Sequence, residues 1–214
     1  MEEANKVFHR SLFLSGPAGR LEAQLWTSAA AHPPMAGLVC HPHPLYGGTM
    51  HNKVVFQAAK SLHGLGMPVL RFNFRGVGLS EGSHDRGIGE QADVRAAIDF
   101  LASEFPGAPV VLAGFSFGAW VGLKAGAADA RVTKLIGVGI PVNSSDFSYL
   151  RGCVKPKLFV VGMEDQFAAR DKVEALVNSL ETPRRLVLVP GADHFFVGKL
   201  HELGTAIREW MESA

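Results

Sequence analysis

An α/β fold with a mostly parallel sheet and helices on both faces is what this chain predicts, and three observations predict it. Short apolar runs of strand length recur along the sequence. Stretches of helical period fall between the later runs, and such alternation requires a parallel sheet covered on both sides. The 214 residues, 47% of them hydrophobic, show no linker or internal repeat, so one domain spanning residues 1–214 is expected around a sizeable core.

The strand candidates are Ser11 to Leu14, the alternating Leu21 to Trp26, Gly37 to Cys40, Val69 to Phe74, Val110 to Ala113, Leu135 to Ile140, Lys157 to Val161 and Arg185 to Val189. The first two, joined through Gly16-Pro17-Ala18-Gly19, read as an antiparallel edge hairpin. Helical patterns cover Asn52 to His63, ended by Gly64, and Gly89 to Phe105, where Val94, Ile98 and Leu101 share a face and Pro106 is the stop. Three more span Phe117 to Ala128, Lys172 to Leu180 and Lys199 to Met211. On such sheets ligands bind beyond the carboxyl ends of the strands, so post-strand residues carry the functional argument.

Net charge is +1 with no Lys/Arg run, so no electrostatic footprint for nucleic acid or an anionic membrane exists; the expected partner is a small molecule. Two cysteines, Cys40 and Cys153, make neither a disulfide framework nor a zinc pattern. Met1 to Lys6 is charged and has no apolar segment of signal-peptide length, which predicts a cytoplasmic protein. Phe105 to Leu123 is charge-free and nearly long enough to span a membrane, but Pro106, Pro109 and its glycines suit a strand and turn instead. An open sheet edge leaves a homodimer as an option.

Gly114-Phe115-Ser116-Phe117-Gly118 joins the apolar run Val110 to Ala113 to a helical stretch. Strand, G-x-S-x-G turn and helix together make a nucleophile elbow, which lifts a serine hydroxyl clear of the backbone. Gly78-Leu79-Ser80-Glu81-Gly82 spells the same pattern but is followed by turn chemistry with no helical period, so Ser116 alone has the context. The flanking glycines are expected where neighbouring chains approach too closely for a Cβ.

Two further post-strand loops complete a set. Lys157 to Val161 runs into Gly162-Met163-Glu164-Asp165, and Arg185 to Val189 runs into Pro190-Gly191-Ala192-Asp193-His194. The order serine, acid, histidine matches the hydrolase arrangement built on such elbows. A serine hydroxyl must pass its proton to a base titrating near neutrality, here His194, whose other nitrogen needs a carboxylate to fix its tautomer. Asp165 is the choice, with Glu164 the closer rival; Asp193 is too near in sequence to reach the ring.

An oxyanion hole should draw its first donor from the Phe117 N–H at the start of a helix. The second should come from His41-Pro42-His43-Pro44-Leu45-Tyr46-Gly47-Gly48, where prolines lack an N–H, leaving His43 or Leu45, with the His43 backbone favoured. His41, His43 and His51 could suggest a metal site, but the prolines make a rigid loop and no cysteine or paired carboxylate completes a ligand set. Nor does Gly76-Val77-Gly78 bind dinucleotide, because Glu81 stands where the third glycine belongs.

Cys40-His41-Pro42-His43-Pro44 with Gly47-Gly48, then Arg71-Phe72-Asn73-Phe74-Arg75-Gly76-Val77-Gly78-Leu79-Ser80, the elbow, Asp165 and His194 resemble the small, cap-less bacterial α/β-hydrolases of the dienelactone-hydrolase and esterase kind. The resemblance runs from the third strand to the end. It implies an α/β-hydrolase fold with an eight-stranded sheet, a Ser116-Asp165-His194 triad, hydrolysis without a cofactor, and a structural turn at Arg75 to Gly78 beside the elbow. The dienelactone branch carries a cysteine nucleophile where this chain has Ser116.

Only Pro141 to Pro156 separates the sixth strand from the seventh, too little for a folded lid. Leu45, Tyr46, Phe147, Tyr149, Phe167 and Phe195, with Phe117, are the expected lining of an open, shallow apolar pocket. The expected activity is serine-esterase hydrolysis of carboxylic esters with short acyl chains, thioesters and amides being other substrates the same triad serves. The alternative is a non-catalytic module of this fold that binds a small hydrophobic ligand.

Overall fold

The computed structural model describes residues 8–27 and 33–213. The reading of Met1 to Lys6 lies outside those residues. Among the described residues eight strands form one sheet: β1 (Phe8–Gly16), β2 (Gly19–Thr27), β3 (Ala36–Cys40), β4 (Val69–Phe72), β5 (Val110–Phe115), β6 (Val132–Val138), β7 (Lys157–Gly162) and β8 (Arg184–Val189). The described residues also form five α-helices between and after the strands: α1 (Lys53–His63), α2 (Gly89–Glu104), α3 (Phe117–Ala128), α4 (Arg170–Asn178) and α5 (Leu200–Ser213).

Strand order is β1-β2-β4-β3-β5-β6-β7-β8. The six strands from β4 to β8 run parallel, while β2 pairs antiparallel with both β1 and β4. The edge hairpin closes through Gly16 and Gly19 and sets Leu14 opposite Leu21. This is the mostly parallel sheet that the alternation of strands and helices calls for, with the eight strands that the α/β-hydrolase resemblance implies.

Because side chains alternate across a strand, each central strand feeds two cores. On β5, Val110 and Leu112 join a core with Val94, Ile98 and Leu101 of α2 and Leu123 of α3. Val111, Ala113 and Phe115 point to the other side, against Val54, Val55 and Leu62 of α1 and Ile207 and Trp210 of α5. Full burial of each such aliphatic side chain contributes about 1.5–3 kcal/mol, which is why a sheet apolar on both faces must sit between helical layers.

Local chemistry sets the helix ends. Asn52 caps α1, its Oδ1 accepting the Val54 N–H at 2.9 Å. Helix α2 stops just before Pro106, as a residue preceding proline disfavours helical geometry. Strand β4 is two residues shorter than its apolar run suggests, because Asn73 turns its side chain to other work. Its Oδ1 accepts the Met50 N–H at 2.8 Å and its Nδ2 donates to Glu22 at 2.7 Å, tying the loops after β3 and β4 together.

Between β6 and β7 the chain forms only a short 3-10 turn, Ser148–Leu150, and no lid covers the carboxyl ends of the strands there. Phe147 corrects the sequence expectation. It is 2% exposed and packs into the core, because the turn folds back over α3 and carries its rings inward. Tyr149 does the same, donating its hydroxyl to the Trp120 carbonyl at 2.7 Å. Among the described residues no helix is long and apolar enough to cross a membrane.

Candidate active site

Strand β5 delivers Ser116 directly into α3 with no intervening loop. Ser116 has φ 55° and ψ −119°, a conformation that an L-residue adopts only under constraint at a cost of about 1–3 kcal/mol. The flanking glycines allow it. A Cβ on Gly114 would lie 2.3 Å from the Gly118 carbonyl oxygen, and one on Gly118 would lie 2.4 Å from that of His41. The second G-x-S-x-G, by contrast, is structural: Ser80 Oγ donates to the Asn73 carbonyl at 2.7 Å and accepts the Glu22 N–H at 2.9 Å.

The loops after β7 and β8 meet beside the elbow. Gly162 makes this possible, since a Cβ there would lie 2.2 Å from the Ala192 carbonyl oxygen. Glu164 N–H donates to that same carbonyl at 2.9 Å, which leaves the Glu164 side chain in solvent and turns Asp165 inward. Asp165 Oδ1 accepts the Phe167 N–H at 2.8 Å, and Oδ2 lies 2.8 Å from His194 Nδ1. On the other side of the ring, His194 Nε2 lies 3.0 Å from Ser116 Oγ. Asp193, the other neighbouring acid, spends its Oδ1 on the Val197 N–H.

An ionised carboxylate only accepts, so His194 carries its proton on Nδ1 and offers the Nε2 lone pair to the serine hydroxyl. Asp165 and His194 are 6% and 3% exposed, so this contact works in a medium of low dielectric. The rings of Phe167 and Phe195 lie 4.6 and 5.2 Å from the His194 ring and hold it in place.

Opposite His194 lies the loop after β3. Leu45 N–H donates to His43 Nδ1 at 3.2 Å, which removes Leu45 as an oxyanion donor. Phe117 and His43 remain, their rings 4.9 Å apart. Burial, and next the charge of His84, hold the His43 imidazole below its usual pKa, while Glu90 pulls the other way.

His41 fastens this loop. Its Nε2 accepts the Phe74 N–H at 3.0 Å and its Nδ1 donates to the Pro42 carbonyl at 2.7 Å. Desolvation lowers its pKa to about 3, so it is neutral. Both nitrogens are committed, leaving no lone pair for a cation; among the described residues no group of three His, Cys, Asp or Glu could hold a metal ion. The turn after β4 is anchored in the same region by Arg75, whose Nη2 lies 2.7 Å from Asp93 Oδ1 in a buried pair.

A cleft of about 760 Å³ opens over Ser116. Tyr46, Phe167 and Phe195 line it as expected, together with His43 and Phe117. Leu45 does not; it is 69% exposed and turned outward by the bond between its N–H and His43. Trp120, His84, Arg86 and Asp146 line the cleft without having been singled out from sequence. Trp120 was legible in principle, lying one helical turn past the serine, whereas the others come from loops with no periodic signal.

The sequence model of the serine aminopeptidase S33 family matches residues 33–151, a stretch holding the His41 to Gly48 loop and the elbow. The chain belongs to that family of hydrolases. A Rickettsia prowazekii protein without an assigned function is 39% identical over 209 residues, covering 94% of this chain and 87% of that protein. A Xanthomonas campestris structure described as an α/β serine hydrolase without a lid is 38% identical with TM-score 0.88, covering 98% of this chain and 97% of that one. A Coxiella burnetii α/β serine hydrolase homologue is 40% identical with TM-score 0.87, over 94% and 96% of the two chains. This S33-family chain is thus similar to α/β serine hydrolases, one of them described as lid-less, over almost its whole length.

Proposed function

We propose that this chain is a serine esterase that hydrolyses small carboxylic esters through an acyl-enzyme. The observation that carries the reading is the double engagement of one imidazole, His194 reaching Ser116 at 3.0 Å and Asp165 at 2.8 Å.

In the first half-reaction Ser116 Oγ attacks the ester carbonyl carbon as its proton passes to His194 Nε2. The carbonyl π pair moves onto oxygen, and that oxyanion is held by the Phe117 and His43 N–H groups. Each such donor contributes about 3–4 kcal/mol of barrier lowering. Asp165 stabilises the imidazolium. Collapse of the tetrahedral adduct breaks the carbon–oxygen bond to the leaving group, and His194 returns its proton to the departing alcohol. Water then attacks the acyl-enzyme with the same histidine as base; the acid leaves and Ser116 regains its proton.

The cleft is open, so short acyl chains are the favoured model substrates. Est1E from Butyrivibrio proteoclasticus and an esterase from Pyrococcus furiosus share the fold at 16% and 15% identity. A second reading, amide or peptide cleavage, is favoured by the family's description as serine aminopeptidases.

A fluorophosphonate probe and a panel of p-nitrophenyl esters from acetate to octanoate test the proposal, with aminoacyl p-nitroanilides as the amide arm. Stoichiometric labelling lost in Ser116→Ala, and turnover falling with chain length, are expected. Turnover of anilides above esters would replace the first reading by the second. Absence of labelling would sink both and leave a binding module.

A further inference from the structure

We infer that the cleft carries an anion subsite built on Arg86, which selects esters whose acyl chain ends in a carboxylate. This rests on the esterase reading and deepens it.

Arg86 lines the cleft together with Ser116. Among the described residues its guanidinium has neither an ion-pair nor a hydrogen-bond partner. Its backbone is unusual as well. At φ 49° it sits in the left-handed region, which a bulky residue occupies at a cost of about 1–2 kcal/mol.

Glu90 supplies the constraint that holds it there. This glutamate is fully buried; Oε1 accepts the Asp85 N–H and Oε2 accepts the Gly87 N–H, both at 2.8 Å. The two residues flanking Arg86 are therefore clamped to one carboxylate. Gly87 is also pressed against the Trp120 ring, 2.4 Å from where a Cβ would be, which locks the loop to α3. His84, two residues before Arg86, lies 2.8 Å from Glu90 Oε1 without aligning as a hydrogen bond, and it also lines the cleft.

Position within the cleft assigns the subsite to the acyl chain. His194 must protonate the leaving oxygen, so the alcohol lies on its side, between Phe167 and Phe195. The His84 ring packs instead on His43 and Phe117, with centroids 5.1 and 5.6 Å away, at the oxyanion wall. An acyl chain leaving the carbonyl carbon away from His194 runs toward His84, Trp120 and Arg86.

Three acids lie nearby, Asp146 in the same cleft, Asp85 next in the chain and the buried Glu90, and none of them pairs with the guanidinium. Asp146 lines the cleft, but its carboxylate accepts the Ser148 N–H at 2.8 Å and the Ser148 hydroxyl at 2.6 Å. Asp85 bears on Arg75. A carboxylate at the far end of an acyl chain would meet a planar, permanently charged donor on an exposed side chain whose backbone is fixed by Glu90.

The test compares p-nitrophenyl adipate half-ester with p-nitrophenyl hexanoate, background being read with Ser116→Ala. The wild-type ratio of kcat/KM is expected to favour the charged ester by about tenfold or more at low salt and to shrink as salt rises. Arg86→Gln should lower that ratio about tenfold, with KM for the charged ester carrying the change, and Arg86→Lys should restore part of it. A wild-type ratio at or below one, or the same ratio in Arg86→Gln, would overturn the subsite. Turnover of hexanoate without charge discrimination removes this inference alone; no turnover of either ester together with no fluorophosphonate labelling removes the esterase reading and this with it.

Discussion

His41 Nε2 accepts the backbone N–H of Phe74 at 3.0 Å, a bond between residues 33 apart that pins the loop after β3 to the turn after β4. Both partners are buried, and the ring is neutral because burial disfavours its charged form. A histidine that reads in sequence as a candidate metal ligand is thus a strut for the loop bearing the His43 N–H.

Stability should fall in mild acid on account of this group. Folded His41 titrates at about 3 against 6.5 for an ordinary histidine, so below pH 6.5 the unfolded chain takes up a proton that the folded chain refuses. The contribution is complete above pH 6.5 and is lost progressively down to pH 3, with a slope of up to about 1.4 kcal/mol per pH unit. Urea unfolding across this range should show His41→Gln with a shallower slope than wild type. Equal slopes would refute the assignment.

The two G-x-S-x-G serines should behave oppositely. Ser116→Ala should lower ester kcat by about 10⁴-fold or more with an unchanged melting curve. Ser80→Ala removes two bonds that tie β2 to the turn after β4, and should cost about 2 kcal/mol of stability while labelling by fluorophosphonate persists. Loss of labelling in Ser80→Ala at a temperature where it is folded would contradict this.

Asp165 and Glu164 are adjacent but face apart. Asp165→Asn should reduce kcat by about 10⁴-fold, since an amide oriented by the Phe167 N–H no longer fixes the imidazole tautomer. Glu164→Gln, at an exposed side chain, should stay within about twofold of wild type. Steady-state kinetics on one short ester separates the two, and a larger loss in Glu164→Gln would reassign the acid.

Gly162→Ala probes the contact that brings the acid and histidine loops together. Its Cβ would lie 2.2 Å from backbone, which cannot yield like a flexible side chain, so a loss of about 1–3 kcal/mol is expected. Because the same shift separates Asp165 from His194, kcat should fall alongside the melting temperature. A stable variant with full activity would show that the loops meet without it.

Much of this arrangement is local and therefore readable in the chain. Alternating apolar runs impose a sheet with two cores, and Val110 to Gly118 dictates a strand, a strained turn and a helix within nine neighbouring positions. Post-strand placement marks Asp165 and His194 because a parallel sheet gathers its carboxyl ends on one rim. Other features arise only from packing. Leu45 remains a possible donor beside the favoured His43 in sequence until a side-chain bond consumes its N–H, and Phe147 reads as a mouth residue until its turn folds onto α3. The strut at His41, the choice of Asp165 over Glu164 and the clamp around Arg86 each depend on groups 3 to 33 positions away or on backbone contacts across loops. Hydrophobic period and turn chemistry act between near neighbours and specify the scaffold. Which lone pair or N–H remains free for substrate is fixed only when distant segments meet and satisfy one another's hydrogen bonds.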